Sequence, residues 1–233
     1  MALMLYISPP FGNYIHRKGT TSIRGTFTFN RRWGLMWNTL RSLRKTKGDW
    51  INQIGFRNKG LKNVSSFDSE SVYSIAAVDN SWNKLFALLS PDIRVELNAG
   101  CPNVGAYTLK RCNIRPFVEH QNDVIVKVSP HVTRQFLDEC QDVGVKTVHL
   151  CNTIPTPNGG ISGKQLKKLC LPLVESVATT YNMDIIAGGG IYSAQDVVDY
   201  ANAGASHFSV STLFITNPWQ ISAVEAAVLG VSR

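Results

Sequence analysis

From residue 71 onward, short apolar runs alternate with segments of helical length, and this alternation constrains the fold more than any other feature of the sequence. The runs have the length and β-branched content of buried strands, and the segments between them are long enough for helices. The predicted strands lie at residues 72–78, 94–97, 124–128, 146–150, 183–187 and 207–210. The predicted helices lie at residues 82–89, 109–120, 133–143, 163–181, 194–203 and 219–229. Such an alternation predicts parallel strands joined by right-handed helical crossovers.

Two further strands, at residues 1–7 and 22–29, bring the predicted number to eight. Eight strands of this kind favour an α/β fold of the closed (β/α)8 TIM barrel type over an open doubly wound sheet, which is the alternative. We expect the first crossover helix to be missing, because residues 8–21 leave too little room for one. A chain of 233 residues is long enough for one such barrel, so we expect a single domain over residues 1–233.

The net charge of +8 is concentrated in the first quarter of the chain. Residues 1–62 hold twelve Lys or Arg residues and a single acid, Asp49. Part of this charge lies in a segment of helical character at residues 33–47, whose apolar side most simply packs on the core. A solvated basic face is the simplest explanation of the charge. Its alternatives are contact with phosphates, with an anionic substrate or, peripherally, with an acidic membrane surface.

The sequence lacks the features that mark membrane-spanning, secreted and metal-binding proteins. It contains no apolar run of about 18 residues, the length that indicates a spanning helix. No basic segment precedes its N-terminal apolar stretch, and its five cysteines include no C-x-x-C pair. We therefore expect a cytoplasmic protein without a disulfide framework or a metal site. The sequence leaves the oligomeric state open.

Polar residues collect after the predicted strands, on the face where barrel enzymes carry their active sites. Asn98, Cys101 and Asn103 follow the strand at residues 94–97. A carboxamide both donates and accepts hydrogen bonds and so can hold an amide-rich ring, while a thiolate can move a proton. Lys127 lies near the end of the next strand, in an otherwise apolar run. The simpler alternatives are a strand-to-turn exit with a packed cysteine, and a lysine that reaches solvent.

A second group of residues has the pattern of a phosphate site. The three glycines at residues 188–190 separate a strand from a helix, so backbone N–H groups and the helix dipole can approach an anion. Ser211 and Thr212 follow the last strand, where barrels often bind phosphate. Together the two segments predict a phosphate site; the alternative is that the glycines serve only a tight turn.

Seven segments spread over nearly the whole chain are similar to segments of one enzyme family. They occur in the same order as in that family. They are G-T-F-T (25–28), W-I-N-Q-I-G-F-R-N-K-G (50–60), L-N-A-G-C-P-N (97–103), V-I-V-K-V-S-P (124–130), C-N-T-I (151–154), G-G-I-S-G (159–163) and I-I-A-G-G-G-I (185–191), the last followed by G-A-S and S-T. The sequence resembles the dihydroorotate dehydrogenases, FMN-dependent barrels that oxidise dihydroorotate to orotate in pyrimidine biosynthesis.

The resemblance implies FMN as the cofactor, dihydroorotate as the small-molecule substrate and no nucleic acid partner. It implies that Cys101 is the base that abstracts a proton from dihydroorotate while FMN accepts a hydride, and that Lys127 stabilises the reduced flavin. The residues implied in substrate binding are Asn52, Asn98, Asn103, Asn152 and Thr153. The residues implied in FMN binding are Lys127, Asn152, Gly163, Gly189, Gly190, Ser211 and Thr212.

The sequence departs from the family in its first βα unit, where S-P-P-F-G-N-Y-I (8–15) replaces a glycine-rich stretch that contains a lysine. Lys18 and Arg24 are the candidates to replace that lysine, and the loops after Asn103 and after residues 151–154 are short. Two alternatives to a dihydroorotate dehydrogenase are a dihydrouridine synthase-like flavoenzyme that modifies tRNA and a barrel that only binds a phosphorylated ligand. The sequence does not indicate whether quinone, fumarate or NAD accepts the electrons.

Overall fold

The computed structural model describes residues 3–33, 44–45, 49–52, 55–100, 109–121, 123–150 and 152–231. Its strands, in chain order, are β1 (Leu5–Ile7), β2 (Thr20–Phe27), β3 (Arg44–Lys45), β4 (Asp49–Asn52), β5 (Val72–Ile75), β6 (Arg94–Asn98), β7 (Val124–Val128), β8 (Thr147–Leu150), β9 (Ile154–Thr156), β10 (Gly159–Gly163), β11 (Asp184–Gly188) and β12 (His207–Val210). Eight of them form a closed parallel barrel in the order β1-β2-β5-β6-β7-β8-β11-β12, with β12 paired to β1. The predicted (β/α)8 barrel and its eight strands are confirmed.

Helices surround this barrel. Those of the described residues are α1 (Trp82–Phe86), α2 (Arg111–His120), α3 (Arg134–Asp142), α4 (Leu166–Thr180), α5 (Ala194–Asn202), α6 (Leu213–Thr216) and α7 (Ile221–Val231). All but the short α6 correspond to predicted helices. Only a 3-10 turn, Phe11–Asn13, lies between β1 and β2, as expected for a missing first crossover helix. None of the helices in the described ranges is long and apolar enough to cross a membrane.

The prediction of a helical segment at residues 33–47 is wrong where the structure describes it. Arg44–Lys45 form β3, which pairs with β4, whereas residues 34–43 and 46–48 lie outside the described residues. Pairing with β4 therefore determines the conformation of these two residues.

A small antiparallel sheet, with the order β3-β4-β10-β9, lies outside the barrel and was not predicted. Its strands are two to five residues long, too short for a clear periodic pattern. Asn52 of β4 is opposite Gly160 of β10, and Asp49 is opposite Gly163. The Trp50 indole Nε1 donates a hydrogen bond to Thr216 Oγ1 at 2.9 Å and so ties the sheet to α6.

Residues of the barrel strands alternate between two apolar regions. Val95, Leu97 and Val126 belong to the large core between barrel and helices. A smaller cluster, formed by Tyr6, Ile23, Val72, Ile125 and Ile186, lies inside the barrel. Two residues further along β7 and β11, on the same inner face, stand Lys127 and Gly188. The interior therefore changes from apolar to polar toward the carboxyl ends of the strands.

Candidate active site

A cavity of about 440 Å³ lies at the carboxyl ends of the barrel strands. This volume is within the usual range for small-molecule sites. The predicted site residues that line it are Asn52, Asn98, Lys127, Asn152, Thr153, Gly163, Gly189, Gly190, Ser211 and Thr212. Cys101 and Asn103, which were also predicted, lie outside the described residues. The barrel thus brings together side chains that are more than 150 positions apart in sequence, from Asn52 to Thr212.

Hydrogen bonds between side chains fix the orientation of two carboxamides at one edge of the cavity. Asn98, at the end of β6, donates through Nδ2 to Thr26 Oγ1 at 3.1 Å and accepts through Oδ1 from Asn152 Nδ2 at 2.9 Å. The Asn152 oxygen in turn accepts from the backbone N–H of Thr153 at 2.9 Å. Within the described residues, each carboxamide keeps one N–H hydrogen for a ligand. The buried Thr153 hydroxyl has no hydrogen-bond partner among the described residues, so it too is available to a ligand.

Lys127 projects from β7 into the same cavity. It lies in register with Asn98 on β6 and with His149 on β8, so all three side chains share the inner face of the barrel. Only 8% of Lys127 is exposed, and within the described residues its ammonium group makes neither a hydrogen bond nor an ion pair. A buried ammonium whose hydrogens have no acceptor costs free energy. The site is therefore suited to a ligand that carries, or gains, negative charge near this lysine.

Below Lys127, Glu96 and His149 form a buried pair that the sequence analysis did not single out. Glu96 Oε2 and His149 Nδ1 are 2.6 Å apart, and the side chains are 0% and 1% exposed. Burial works to raise the pKa of Glu96, but the charge of Lys127 and the contact with His149 outweigh it and lower this pKa to about 2. Burial and the charge of Lys127 lower the pKa of His149 to about 4, although Glu96 opposes them. At neutral pH the pair is a carboxylate with a neutral imidazole.

The strand pattern contains a signal for this pair. Glu96 is two residues before Asn98 on β6, and alternation along a strand places both on the same face. His149 lies directly beside Lys127 across the β7–β8 ladder. A lysine that points into the barrel at the end of a strand requires a buried counter-charge. The inward-facing positions of the neighbouring strands are where such a charge is expected.

The glycine turn after β11 closes the other end of the cavity. Gly189 and Gly190 have φ angles of +87° and +80°, which side chains rarely adopt. A Cβ atom on Gly190 would also lie 2.9 Å from the backbone nitrogen of Lys167, so packing against α4 requires glycine as well. In the described part of the chain, the backbone N–H groups of Gly189, Gly190, Ser211 and Thr212 have no hydrogen-bond acceptor. Four such donors at the ends of two adjacent strands can hold a phosphate.

The contribution of the helix start differs from the prediction. The carboxylate of Asp196 accepts hydrogen bonds from the backbone N–H groups of Tyr192 and Ser193, both at 2.9 Å. The backbone N–H groups of the two residues just before α5 are therefore occupied by a side chain of that helix instead of facing the cavity. The Ser211 hydroxyl donates to the Pro9 carbonyl at 3.1 Å, and the Thr212 hydroxyl accepts from the Tyr192 hydroxyl at 2.7 Å.

Neither candidate for replacing the missing first-loop lysine lines the cavity. Arg24 forms an ion pair with Asp68 at 2.8 Å, and neither Arg24 nor Lys18 lines the cavity. Arg57, which the sequence analysis did not single out, does line it. Gly163, at the end of β10 with a φ angle of +140°, lines the cavity as well, and a side chain there would clash with the Asp49 carboxylate.

Comparison with known proteins places this site in a family context. A family model described as dihydroorotate dehydrogenase matches residues 140–229, which contain Asn152, the glycine turn and the last barrel strand. The catalytic subunit of dihydroorotate dehydrogenase B (NAD(+)) from Bacteroides fragilis is 27% identical over 248 residues, which cover 88% of this chain and 78% of that protein. Over these ranges the chain is similar to dihydroorotate dehydrogenases.

Other dihydroorotate dehydrogenases are similar over the same range. The corresponding subunit from Malacoplasma penetrans is 25% identical over 242 residues, with 88% of this chain and 78% of that protein covered. Among solved structures, ligand-free dihydroorotate dehydrogenase from Eimeria tenella has a TM-score of 0.70 at 19% identity, covering 90% of this chain and 76% of that one. That structural likeness supports the barrel fold.

Proposed function

We propose that this protein is an FMN-dependent oxidoreductase that converts dihydroorotate to orotate, a step of pyrimidine (UMP) biosynthesis. The observation that carries the proposal is the layout of one cavity. Lys127, buried and without a hydrogen bond among the described residues, lies in its floor, and oriented carboxamides lie at one edge. Backbone N–H groups with no acceptor in that part of the chain lie at the other edge. A planar, electron-accepting ring with a phosphate tail needs these three elements together.

The residues that would hold FMN follow from this layout. The N–H groups of Gly189, Gly190, Ser211 and Thr212 would bind its phosphate. Gly163, which lines the same cavity, would contact FMN through its backbone. Lys127 would lie beside the ring, where its charge favours the electron-rich reduced form. When bound, FMN supplies an acceptor for the hydride that leaves the substrate.

The carboxamides of Asn52, Asn98 and Asn152 would bind the substrate, because the ring of dihydroorotate presents alternating C=O and N–H groups. Arg57 is the described cation besides Lys127 that lines the cavity, and we assign it to the substrate carboxylate. Asn103, in the loop after Asn98, would complete this set.

Cys101 would act as the base. As a thiolate it takes the proton from carbon 5 of dihydroorotate while the hydride leaves carbon 6, so that the ring gains a double bond. Support for this role comes from the L-N-A-G-C-P-N segment, which continues directly from the end of β6 at Asn98. The named relatives are dihydroorotate dehydrogenases, and no observation favours the tRNA-modifying alternative.

The test is FMN binding followed by substrate binding. We expect the purified protein to show a flavin spectrum and FMN-loaded protein to change that spectrum when orotate is added. Lys127→Met should weaken FMN binding by about 10- to 100-fold, the loss expected for one hydrogen bond from a charged group. Lys146→Met, at an exposed position before β8, is the control and should bind FMN like the wild type. Failure of the wild-type protein to bind FMN would overturn the proposal.

A further inference from the structure

The proposed reaction makes no use of the buried Glu96–His149 pair, although His149 lines the cavity. The imidazole Nε2 faces Gly188, another cavity residue: a Cβ atom on Gly188 would lie 3.3 Å from it. Within the described residues, nothing donates a hydrogen bond to this nitrogen. A ring nitrogen of a nearly fully buried side chain, which lines a cavity and has no donor among the described residues, is a group that a ligand can satisfy.

Glu96 determines which nitrogen of the ring carries the hydrogen. An ionised carboxylate only accepts hydrogen bonds, so at 2.6 Å from Oε2 it is Nδ1 that must donate. A neutral imidazole with hydrogen on Nδ1 has a lone pair on Nε2. The second oxygen of Glu96, Oε1, has no hydrogen-bond partner in the described part of the chain. Besides the contact with His149, the charge of Lys127 and the Ser74 hydroxyl stabilise the carboxylate. The imidazole is therefore held as an acceptor toward the cavity.

Lys127 and His149 together present a donor beside an acceptor. They are register partners on adjacent strands, which lie about 4.8 Å apart. The complementary ligand edge is a carbonyl next to an N–H group, as in a lactam or an imide. A ring edge that carried only acceptors would face the Nε2 lone pair and be disfavoured.

We propose that His149 is a ring-binding residue, whose Nε2 accepts a hydrogen bond from the imide N–H of the bound heterocycle, and that Glu96 is the positioning residue that keeps His149 in the accepting tautomer. The inference rests on the proposed function, because the heterocycle is then the ring of FMN. Oxidised flavin has one ring N–H, at N3, flanked by two carbonyls, so N3–H is the donor and Lys127 binds an adjacent carbonyl.

The experiment compares FMN binding by three proteins through the quenching of flavin fluorescence. His149→Phe keeps a flat ring of similar size but removes the acceptor, and should raise the Kd for FMN by about five- to tenfold, the loss of one neutral hydrogen bond. The matched control is His207→Phe. His207 is also a buried histidine of the barrel, at the opposite, amino end of β12, and does not line the cavity. It should bind FMN like the wild type.

A second measurement needs no variant and applies even if His149→Phe does not fold. In wild-type protein with ¹⁵N-labelled histidines, the His149 Nε2 resonance should be that of an unprotonated nitrogen and should move toward the protonated range when FMN is added. An unchanged Kd in folded His149→Phe, or an Nε2 resonance that FMN leaves in place, would overturn the role of His149 while FMN binding itself stands. If the wild type binds no FMN, the proposed function fails and this inference fails with it.

Discussion

His149 should make the barrel lose stability as the pH falls from neutral to mildly acidic values. Burial and Lys127 lower its pKa from 6.5 to about 4 in the folded protein. Between these two values the unfolded chain binds a proton that the folded chain rejects, so the free energy of unfolding falls as the pH falls. A gap of about 2.5 pH units, at 1.36 kcal/mol per unit, gives at most about 3 kcal/mol, of which about 2 kcal/mol is lost by pH 5.

The assay is urea unfolding followed by circular dichroism at pH 7, 6 and 5. The comparison is with His149→Asn, whose amide can still donate to Glu96 but does not titrate. The wild type should lose about 2 kcal/mol more than this variant between pH 7 and pH 5. His131→Asn, at an exposed position, is the control and should follow the wild type. Equal losses in wild type and His149→Asn would refute the account of the buried pair.

Three further perturbations test separate parts of the site. Cys101→Ser should slow flavin reduction by dihydroorotate on the order of a hundredfold or more while FMN still binds, since a general base is removed; stopped-flow rates equal to wild type would show that the base lies elsewhere. Glu96→Gln should make the reduction potential of bound FMN more positive, measured against a reference dye, because a negative charge near Lys127 is lost; a more negative potential would contradict this. Gly190→Val should weaken FMN binding in a folded protein, because φ is +80° and its Cβ would meet Lys167; full flavin occupancy would argue against the phosphate site.

The barrel could be predicted because its strands and helices repeat a local pattern. The strands Val124–Val128 and His207–Val210 agree with the prediction at both ends, since each is a short apolar run between polar segments. The β3-β4-β10-β9 sheet could not be predicted in the same way. Its two halves are joined by β4 and β10, whose paired residues are more than 100 positions apart, such as Asn52 and Gly160. No local pattern reports such a contact.

The location of part of the candidate site could be predicted, because some of its residue types suggest a particular chemistry. Asn98 and Lys127 lie at the carboxyl ends of their strands and the glycine turn follows one, so parallel topology alone brings them to one face. Glu96 and His149 were missed because their role depends on a contact across β7 that the sequence does not display. The role of Asp196 was missed as well. Its carboxylate accepts a hydrogen bond from the backbone at the start of α5, and this contact depends on local geometry.

The central claim is that the cavity oxidises dihydroorotate with FMN. It is tested most directly by mixing FMN-loaded protein anaerobically with dihydroorotate while following the flavin absorbance and the formation of orotate. We predict that the flavin band bleaches and that one orotate appears for each flavin reduced. A protein that holds FMN and binds orotate, yet keeps its flavin oxidised in the presence of dihydroorotate, would contradict the claim.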